Sequence, residues 1–416
     1  MKKKTTAKKN GRSQDASKKT VLKNTVKAAK KTTAKTTRVP KPKTPAWKKA
    51  IGLFVNSVDI SGDGKLVVGG NYNHIYGTIN PPAAPAPVST VGTYLWNAQG
   101  NLLWKDEFQS SEGIHSVALS RDGTWAASVG WGKNYIGFIN AYNVATGSKT
   151  VVASPNGRFL QVALSGDGSS LVAAGDSIFF SQRTGGNWSA PQVIPPSNVP
   201  GDDIVSVDIS NDGQWIVAGT YKGFVLLMKN QNGVLSAPVV WNSLGTIHWV
   251  AMAADGSGFA AAGSLGKAFY FNTSAFFGGA NAPAWTATQA GCTRCGSVAI
   301  SDDGACVSAV FNAGTAGKIF LYSNQSSTPS TPVWSQSTQY NPNGTSIDAN
   351  HQFVTVADGY IVQGVPTPGT FYLYDIAGNL KWKYATTAMN WPMIISGNAA
   401  AIAAGSDDSN VYYFKP

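Results

Sequence analysis

A fifteen-residue segment recurs through most of the chain, and it restricts the fold more than any other feature of the sequence. In its clearest copy, VSVDISNDGQWIVAG at residues 205–219, alternating apolar residues are followed by Asp212-Gly213 and a second apolar run. Alternation predicts a β-strand and Asp-Gly predicts a tight turn, so each copy should form a β-hairpin. Related copies begin at Asn56, His115, Leu160, His248, Gly296, Thr345 and Trp391.

The hairpins recur at a nearly constant interval. The turn glycines Gly64, Gly123, Gly168, Gly213, Gly256 and Gly304 are 59, 45, 45, 43 and 48 residues apart. A period of this size indicates a repeat architecture. Each period has room for four strands, which are the hairpin strands a and b, an aromatic strand c, and a strand d that usually contains Trp. One d strand precedes the first hairpin and the last repeat lacks one, so we expect the two ends of the chain to pair and close a ring.

Two stretches carry a family resemblance. TYLWNAQGNLLWKDEF at 93–108 and FYLYDIAGNLKWKYATT at 371–387 contain the Gly-x-x-x-Trp spacing of the tryptophan-docking motif. Together with the SVxISxDGxxxVAG hairpins, they make residues 45–416 similar to WD40-like and PQQ-like repeat β-propellers of prokaryotic type. The resemblance implies an all-β fold. Eight modules favour an eight-bladed β-propeller, and seven blades are the alternative if one weak copy forms no sheet.

The positive charge is concentrated at the N terminus. The formal charge of the chain is +12, yet residues 1–44 alone hold fourteen Lys, two Arg and one Asp. The rest is therefore slightly acidic. Residues 1–44 contain too few apolar residues to offset the entropy of ordering, so we expect a disordered basic tail before a propeller domain at 45–416.

Such a tail suits nucleic acid, because each Lys that neutralises a phosphate releases a counterion without reading sequence. We expect non-specific binding, with a solubilising extension or a contact with anionic membrane as alternatives. The candidate nucleic-acid-binding residues are Lys2, Lys3, Lys4, Lys8, Lys9, Lys18, Lys19, Lys23, Lys27, Lys30, Lys31, Lys35 and Arg38.

Five residues are candidates for contact with a protein or peptide partner. Tyr72, His74 and Tyr76 lie in a Pro-rich insertion at 71–93 between strands b and c, and projecting loops often carry recognition. His115 and His248 share one repeat position near the start of strand a. The alternatives are a tolerated surface insertion and a pair of histidines that satisfy local hydrogen bonds.

Asp59, Asp208 and Asp348 are assigned to one position of strand a. They would either form an acidic ring for a cation or basic peptide, or accept hydrogen bonds from the neighbouring repeat, which we favour. The single CxxC, Cys292 and Cys295, lacks the further ligands of a closed zinc site, so we expect no metal and either a local disulfide or free thiols.

These patterns favour a non-enzymatic interaction scaffold without a cofactor. A quinoprotein-like enzyme is an alternative implied by the resemblance, but the chain lacks the adjacent cysteines common in that family. A carbohydrate-binding propeller is another, which exposed d-strand Trp side chains would favour.

No apolar stretch is long enough to cross a bilayer or to follow Lys2-Lys3-Lys4 as a signal peptide. We therefore expect a cytoplasmic monomer. Association with the nucleoid is a further expectation.

Overall fold

The computed structural model describes residues 43–73, 88–195, 202–362 and 365–416. Within these ranges the chain is built from many small antiparallel sheets, which confirms the predicted all-β class. Helical structure is limited there to α1 (Thr273–Phe277) and a 3-10 turn at Lys133–Tyr135. No helix in the described part of the chain is long and apolar enough to cross a membrane. The predicted tail residues, up to position 42, lie outside these ranges.

The strands follow the repeat, and we number repeats 1 to 8 by the order of their a strands. The a strands are β2 (Phe54–Ile60), β6 (Gly113–Leu119), β10 (Phe159–Leu164), β15 (Ile204–Ile209), β20 (Ile247–Met252), β24 (Arg294–Ile300), β28 (Pro342–Ile347) and β34 (Asn390–Ile395). The b strands are β3 (Leu66–Tyr72), β7 (Trp125–Trp131), β11 (Ser170–Gly175), β16 (Trp215–Thr220), β21 (Gly258–Gly263), β25 (Cys306–Ala313), β29 (Phe353–Asp358) and β35 (Ile402–Ser406).

The outer strands complete each sheet. The c strands are β4 (Ser89–Asn97), β8 (Gly137–Asn143), β12 (Ile178–Thr184), β17 (Phe224–Gln231), β22 (Lys267–Asn272), β26 (Ala316–Ser323), β32 (Gly369–Asp375) and β36 (Asn410–Phe414). The d strands are β1 (Trp47–Ala50), β5 (Leu102–Ser110), β9 (Lys149–Ala153), β14 (Gln192–Ile194), β19 (Val239–Asn242), β23 (Trp285–Thr288), β27 (Trp334–Thr338) and β33 (Leu380–Thr386). Four short strands are β13 (Asn187–Trp188), β18 (Val234–Leu235), β30 (Ile361–Val362) and β31 (Val365–Pro366).

The first strand pairs with the last. β1 runs antiparallel to β36, from Trp47 opposite Tyr413 to Ala50 opposite Asn410, so strands from the two ends of the described chain share one sheet. The Trp47 and Tyr413 rings stack with their centroids 5.1 Å apart. This is the pairing expected from the unmatched d strand in the sequence.

The a strands also form a closed series of neighbours. Each a strand packs against the a strand of the next repeat, and β34 of repeat 8 packs against β2 of repeat 1. Apolar clusters fill the space between successive sheets, as where Val172 and Phe180 of repeat 3 meet Val207 and Ile216 of repeat 4. The hydrophobic core is therefore divided among the interfaces between repeats.

The d-strand tryptophans help to join neighbouring sheets. Trp104 lies against Gly147 in the c–d turn of the next repeat, and its Nε1 donates to the Val144 carbonyl at 3.1 Å. Gly147 has a φ of +70°, and a Cβ there would lie 3.1 Å from the indole. The same packing occurs for Trp47 on Gly100 and Trp334 on Gly378. The six tryptophans of the d strands are buried or half-buried, as is Trp188, which lies in β13 and not in the d strand of repeat 3. This is not the exposed arrangement that would favour a sugar-binding surface.

Repeated turns join strands a and b at one end of the sheets. In repeat 4, Ser210 Oγ donates to Asp212 Oδ1 at 2.6 Å and accepts from the Trp215 N–H at 3.0 Å, while Gly213 takes a φ of +69°. Equivalent Ser-Asp bonds close the turns at Ser61, Ser120, Ser165 and Ser301. We call this end of the molecule the turn face.

Backbone hydrogen bonds link neighbouring turns to each other. The Gly166 N–H donates to the Asn211 carbonyl, and the Asn211 N–H donates to the Ala254 carbonyl, both at 2.9 Å. Similar bonds join Gly62 to Arg121, Asp122 to Gly166, Asp255 to Asp302, Ala349 to Gly397, and Asn398 to Gly62. Between repeats 6 and 7 the His351 side chain bonds Asp303 at 2.9 Å. The turn face is therefore held together by a belt of hydrogen bonds.

The assignment of Asp348 to strand a is wrong. β28 ends at Ile347, and Asp348 occupies the turn position that Ser61 holds in repeat 1. Its carboxylate accepts the N–H groups of the following turn, including that of Phe353. Ser346 is the true counterpart of Asp59. Matching by residue identity alone had placed Asp348 two residues out of register with Asp59.

Candidate interaction face at the channel mouth

The a strands begin at the end opposite the turn face, and each contains a β-bulge there. A bulge leaves one or more residues without a partner on the b strand and redirects their side chains. In repeat 5 the register shifts between Ile247 and Trp249 and leaves His248 in the bulge. The residues at this position in the eight repeats are Val55 and Asn56, His115, Leu160, Val205, His248, Gly296, Asn343, and Trp391 and Pro392. We call this end, with its b–c and d–a loops, the mouth face.

His115 lies in a small aromatic cluster at the mouth face. Its Nδ1 is 2.9 Å from the Leu160 carbonyl oxygen of repeat 3, and its ring stacks on Trp131 at 5.1 Å. Burial, together with a smaller effect of the positive charge of Arg158, lowers the pKa of the imidazole to about 4. His115 is therefore neutral at pH 7, with the Nδ1 proton directed at a backbone carbonyl.

Tyr72 belongs to the same cluster. Its side chain is 3 % exposed, its ring meets the His115 ring edge-on at 5.4 Å, and its hydroxyl donates to Glu112 Oε2 at 3.3 Å. Burial raises the pKa of this hydroxyl. The predicted contact residues His74 and Tyr76 lie outside the described residues. β4 begins at Ser89, five residues before the Tyr94 expected from the sequence, so the insertion is shorter than predicted.

His248 is bonded elsewhere on the same face. Its Nε2 lies 3.2 Å from Ser264 Oγ, and burial, followed by the charge of Arg294, lowers the imidazole pKa to about 4. His115 and His248 share a bulge position, as predicted, but their contacts belong to separate repeats. These contacts favour the alternative in which the two histidines satisfy local hydrogen bonds over the one in which they contact a partner.

The cysteines are free thiols. Cys295 and Cys306 are buried, and burial raises the pKa of both, to about 12 for Cys306. Burial also raises the pKa of Cys292. Among the residues that the structure describes, no three His, Cys, Asp or Glu side chains are grouped to hold a metal ion.

Asp59 and Asp208 connect neighbouring a strands. Asp208 Oδ1 accepts the N–H of Ile209, and Oδ2 accepts the N–H of Met252 in repeat 5, both at 2.8 Å. Asp59 bonds its own strand and Leu119 of repeat 2 in the same way. Burial is the main cause that raises the carboxyl pKa, to about 7 for Asp59 and about 6 for Asp208. Of the two roles considered for these aspartates, the contacts match the acceptance of hydrogen bonds from the neighbouring repeat.

A central cavity of about 210 Å3 lies at the turn end of the a strands. Residues of all eight repeats line it, and Arg121 of repeat 2 forms an ion pair there with Asp302 of repeat 6. Glycine at position 62 makes room for this arginine, because a Cβ there would lie 2.6 Å from Arg121 Cγ. The ion pair joins two repeats that are four positions apart in the series.

The mouth face carries a strip of exposed apolar side chains. We call Tyr221, Leu244, Trp249 and Leu265 the mouth strip; their side chains are 64, 88, 38 and 66 % exposed. Leu244 and Leu265 have φ of +61° and +60°, a region that bulky L-residues seldom adopt, and each precedes a glycine. The tripeptide Ser-Leu-Gly occurs at both turns. This repetition is visible in the sequence, but exposure of the two leucines is not.

Hydrogen bonds place the turns of the mouth strip side by side. The Ser243 N–H donates to the Gly223 carbonyl at 2.8 Å, and the Ser264 N–H donates to the Thr246 carbonyl at 2.9 Å. The Gln289 N–H then donates to the Gly266 carbonyl at 3.0 Å. The turns that carry the strip therefore lie next to each other in repeats 4 and 5, and the last of them borders the loop before Arg294.

Basic side chains lie in three of the loops around this strip, at Lys222, Lys267 and Arg294. Acidic residues lie beside the first of these loops, where Asp202 Oδ1 accepts the Lys222 N–H at 2.8 Å and the Asp203 carbonyl accepts the Tyr221 N–H. The loops 264–267 and 289–294 contain no acidic residue. Basic side chains beside an exposed apolar surface favour a partner that carries carboxylates.

Comparisons with known proteins add no family assignment, because no protein-family model matches the chain and no curated protein is significantly similar to it.

Proposed function

We propose that this chain is a non-enzymatic interaction scaffold, an eight-bladed β-propeller whose mouth face binds a segment of another protein. Three features support the closed eight-membered ring. The a strands form a closed series of eight neighbours, β1 pairs with β36, and all eight repeats line one cavity. Closure removes exposed sheet edges and gives a rigid base on which irregular loops can present a binding surface.

The observation that carries the proposal is the pair of exposed leucines in left-handed turns. Leu in this conformation costs roughly 1–2 kcal/mol relative to an ordinary one, and Gly or Asn would fit more cheaply. At 88 and 66 % exposure, Leu244 and Leu265 gain little from packing within the chain. A bound partner that covers them would supply the missing burial.

The occupant we propose is a protein segment with apolar side chains and neighbouring carboxylates. The apolar residues would cover the mouth strip, and the carboxylates would face the basic side chains of Lys267 and Arg294. Such charge pairing mainly sets specificity and the rate of association, while the buried apolar side chains supply most of the affinity.

Selection of random twelve-residue peptides on the full chain tests this proposal. We expect enrichment of sequences that combine Leu, Ile, Phe or Trp with Asp or Glu. Enriched peptides should bind the Leu244→Ser/Leu265→Ser variant at least tenfold more weakly. The matched control is Leu102→Ser/Leu103→Ser, two leucines that are each 47 % exposed on the outer strand β5. Equal loss in both variants, or enrichment of basic peptides, would contradict the proposal.

The basic tail would add a second, sequence-independent contact with nucleic acid. We propose this from its charge of fourteen Lys and two Arg against one Asp. A gel-shift titration of duplex DNA with the full chain, and with a chain that starts at Thr44, tests it. A shift that weakens steeply between about 50 and 200 mM salt, and is lost with the tail, supports tethering. Binding that survives the deletion excludes it.

A further inference from the structure

Trp249 differs from the other tryptophans of the chain. Twelve of the thirteen tryptophans pack on an aromatic ring or donate a hydrogen bond from the indole. Within the described ranges Trp249 does neither, and 38 % of its side chain is exposed. Tryptophan is enriched among the residues that contribute most to binding at protein interfaces. Trp249 is therefore the member of the mouth strip best suited to anchor a partner.

Trp249 also interrupts a series of hydrogen bonds between neighbouring a strands. In repeats 1 to 4 its position is held by a polar side chain, which accepts an N–H of the next a strand. These bonds run from Val117 to Ser57, from Val162 to Ser116, from Val207 to Gln161 and from Val250 to Ser206, at 2.9 to 3.3 Å. In repeat 5 the indole replaces this acceptor. The series therefore stops before β24 of repeat 6.

A second acceptor is missing two residues further along the same strand. Asp208 accepts the Met252 N–H at this position in repeat 4, and Asp59 accepts the Leu119 N–H in repeat 1, both at 2.8 Å. In repeat 5 the position is held by Ala251, whose side chain cannot accept a hydrogen bond. Repeat 5 thus offers neither of the two side-chain acceptors to the strand that follows it.

The counterparts of these bonded N–H groups on β24 belong to Val298 and Ile300. Val298 lies opposite Ala309 as Val250 lies opposite Ala261, so its N–H is likewise directed away from the b strand. The Ile300 N–H, two residues later, points the same way. The last two side chains of β24 are only half-buried. This edge of β24 therefore remains open to the channel that the a strands enclose.

We propose that Trp249 anchors the partner segment and that the segment enters the channel in extended form along β24. Two of its carbonyls would accept from Val298 and Ile300, because N–H groups at alternate residues of one strand edge lie about 7 Å apart, as do alternate carbonyls of an extended chain. An apolar side chain of the segment would cover the indole ring. A single carboxylate is too small to span the two N–H groups. The inference rests on the proposed function, since it names the backbone groups through which the partner binds.

Thermal unfolding of Trp249→Ser tests the anchoring role without a ligand. The new hydroxyl would restore the acceptor for the Val298 N–H, and an exposed indole would be removed. We expect the Tm of the full chain to stay equal or rise. Trp241→Ser is the matched control, because Trp241 packs against Phe269 and Phe271, and its Tm should fall by several degrees. A lower Tm in Trp249→Ser than in the unsubstituted chain would show a structural role and overturn the proposal.

Hydrogen exchange tests the route into the channel. The probe is a twelve-residue peptide enriched by the selection described above, bound to the full chain. We expect the Val298 and Ile300 amides to exchange rapidly in the free chain and at least tenfold more slowly with the peptide. The amides of Val117 and Leu119, which already have acceptors, should not change. Unchanged exchange at Val298 and Ile300 would overturn the proposal.

The affinity of the same peptide for Trp249→Ser completes the test. We expect it to fall at least tenfold, and an unchanged affinity would overturn the proposal. The proposed function would stand in that case if binding still required Leu244 and Leu265. Selection that yields no binding peptide would overturn both.

Discussion

The turn face and the mouth face are the two ends of the same inner strands, and they differ in almost every respect. At the turn face, repeated Ser-x-Asp-Gly turns satisfy their own polar groups, and hydrogen bonds join each turn to the next, through the His351 side chain between repeats 6 and 7 and through the backbone elsewhere. At the mouth face the bulge residues differ from repeat to repeat. Leucines are exposed in left-handed turns, and the buried Nε of Arg294 has no hydrogen-bond partner among the described residues. The comparison indicates that repetition serves folding, whereas departures from it mark the binding surface.

The largest expected effect comes from substituting a glycine of the turn face. Gly256 has a φ of +71°, and a Cβ there would lie 2.6 Å from Trp215 Cδ1. Gly256→Val should therefore combine backbone strain with overpacking and lower the free energy of unfolding by about 3 kcal/mol or more. Urea denaturation of the full chain measures this.

The matched control lies at the mouth face. Gly291 has a similar φ of +77°, but apart from its chain neighbours no atom of the described residues lies within 4 Å of its Cβ position. Gly291→Val should cost the strain alone, about 1–2 kcal/mol. Equal losses for the two variants would show that the close packing of the turn face contributes nothing.

The pH dependence of stability should distinguish the buried aspartates of the a strands from the histidines of the mouth face, with the next largest effect. Asp59 and Asp208 have raised pKa values of about 7 and 6, so their protonation stabilises the fold at low pH, and this contribution is lost as pH rises through 6 to 7. His115 and His248 have lowered pKa values of about 4. Their contribution is present above 6.5 and is lost as pH falls towards 4. The two effects oppose each other in the same window.

Replacing the two aspartates should reveal the pH dependence that the two histidines contribute. In Asp59→Asn/Asp208→Asn, the free energy of unfolding should fall more steeply between pH 7 and pH 4.5 than in the unsubstituted chain. Each group changes the slope by at most about 1.4 kcal/mol per pH unit. Denaturation profiles that remain parallel across this range would mean that the two carboxyl groups titrate normally.

The smallest effect on stability is expected at the mouth strip. Leu244→Gly should change the free energy of unfolding by less than about 1 kcal/mol, because relief of the left-handed strain offsets the added freedom of the unfolded chain. Its side chain is 88 % exposed, so little packing is lost. A loss above 2 kcal/mol in the same urea assay would show that Leu244 is structural.

The repeats were predictable because their chemistry is local. Asp-Gly at a hairpin turn and alternation along strand a each act within a few residues, and the unmatched d strand at Trp47 indicated its partner. Asp348 was misplaced because residue identity alone matched it to Asp59 and Asp208. In the structure its carboxylate accepts the turn hydrogen bonds that the Ser61 hydroxyl accepts in repeat 1.

The mouth face was less predictable because its features depend on tertiary contacts. A bulge such as that at His248 adds a residue whose effect on register cannot be read from one strand. Whether Arg294 has a partner depends on residues from repeats 5, 6 and 7. The Leu-Gly dipeptides were visible, but their exposure was not.

Hydrogen exchange on the full chain tests most directly the claim that a closed ring is held at the turn face and left open for binding at the mouth face. We predict that belt amides such as Asn211, Asp255 and Asn398 exchange with similar, strong protection in every repeat, including the first and the last, while the turns at Leu244 and Leu265 exchange rapidly. Protection that declines from the middle repeats towards both ends would indicate an open array that frays, and would contradict the account.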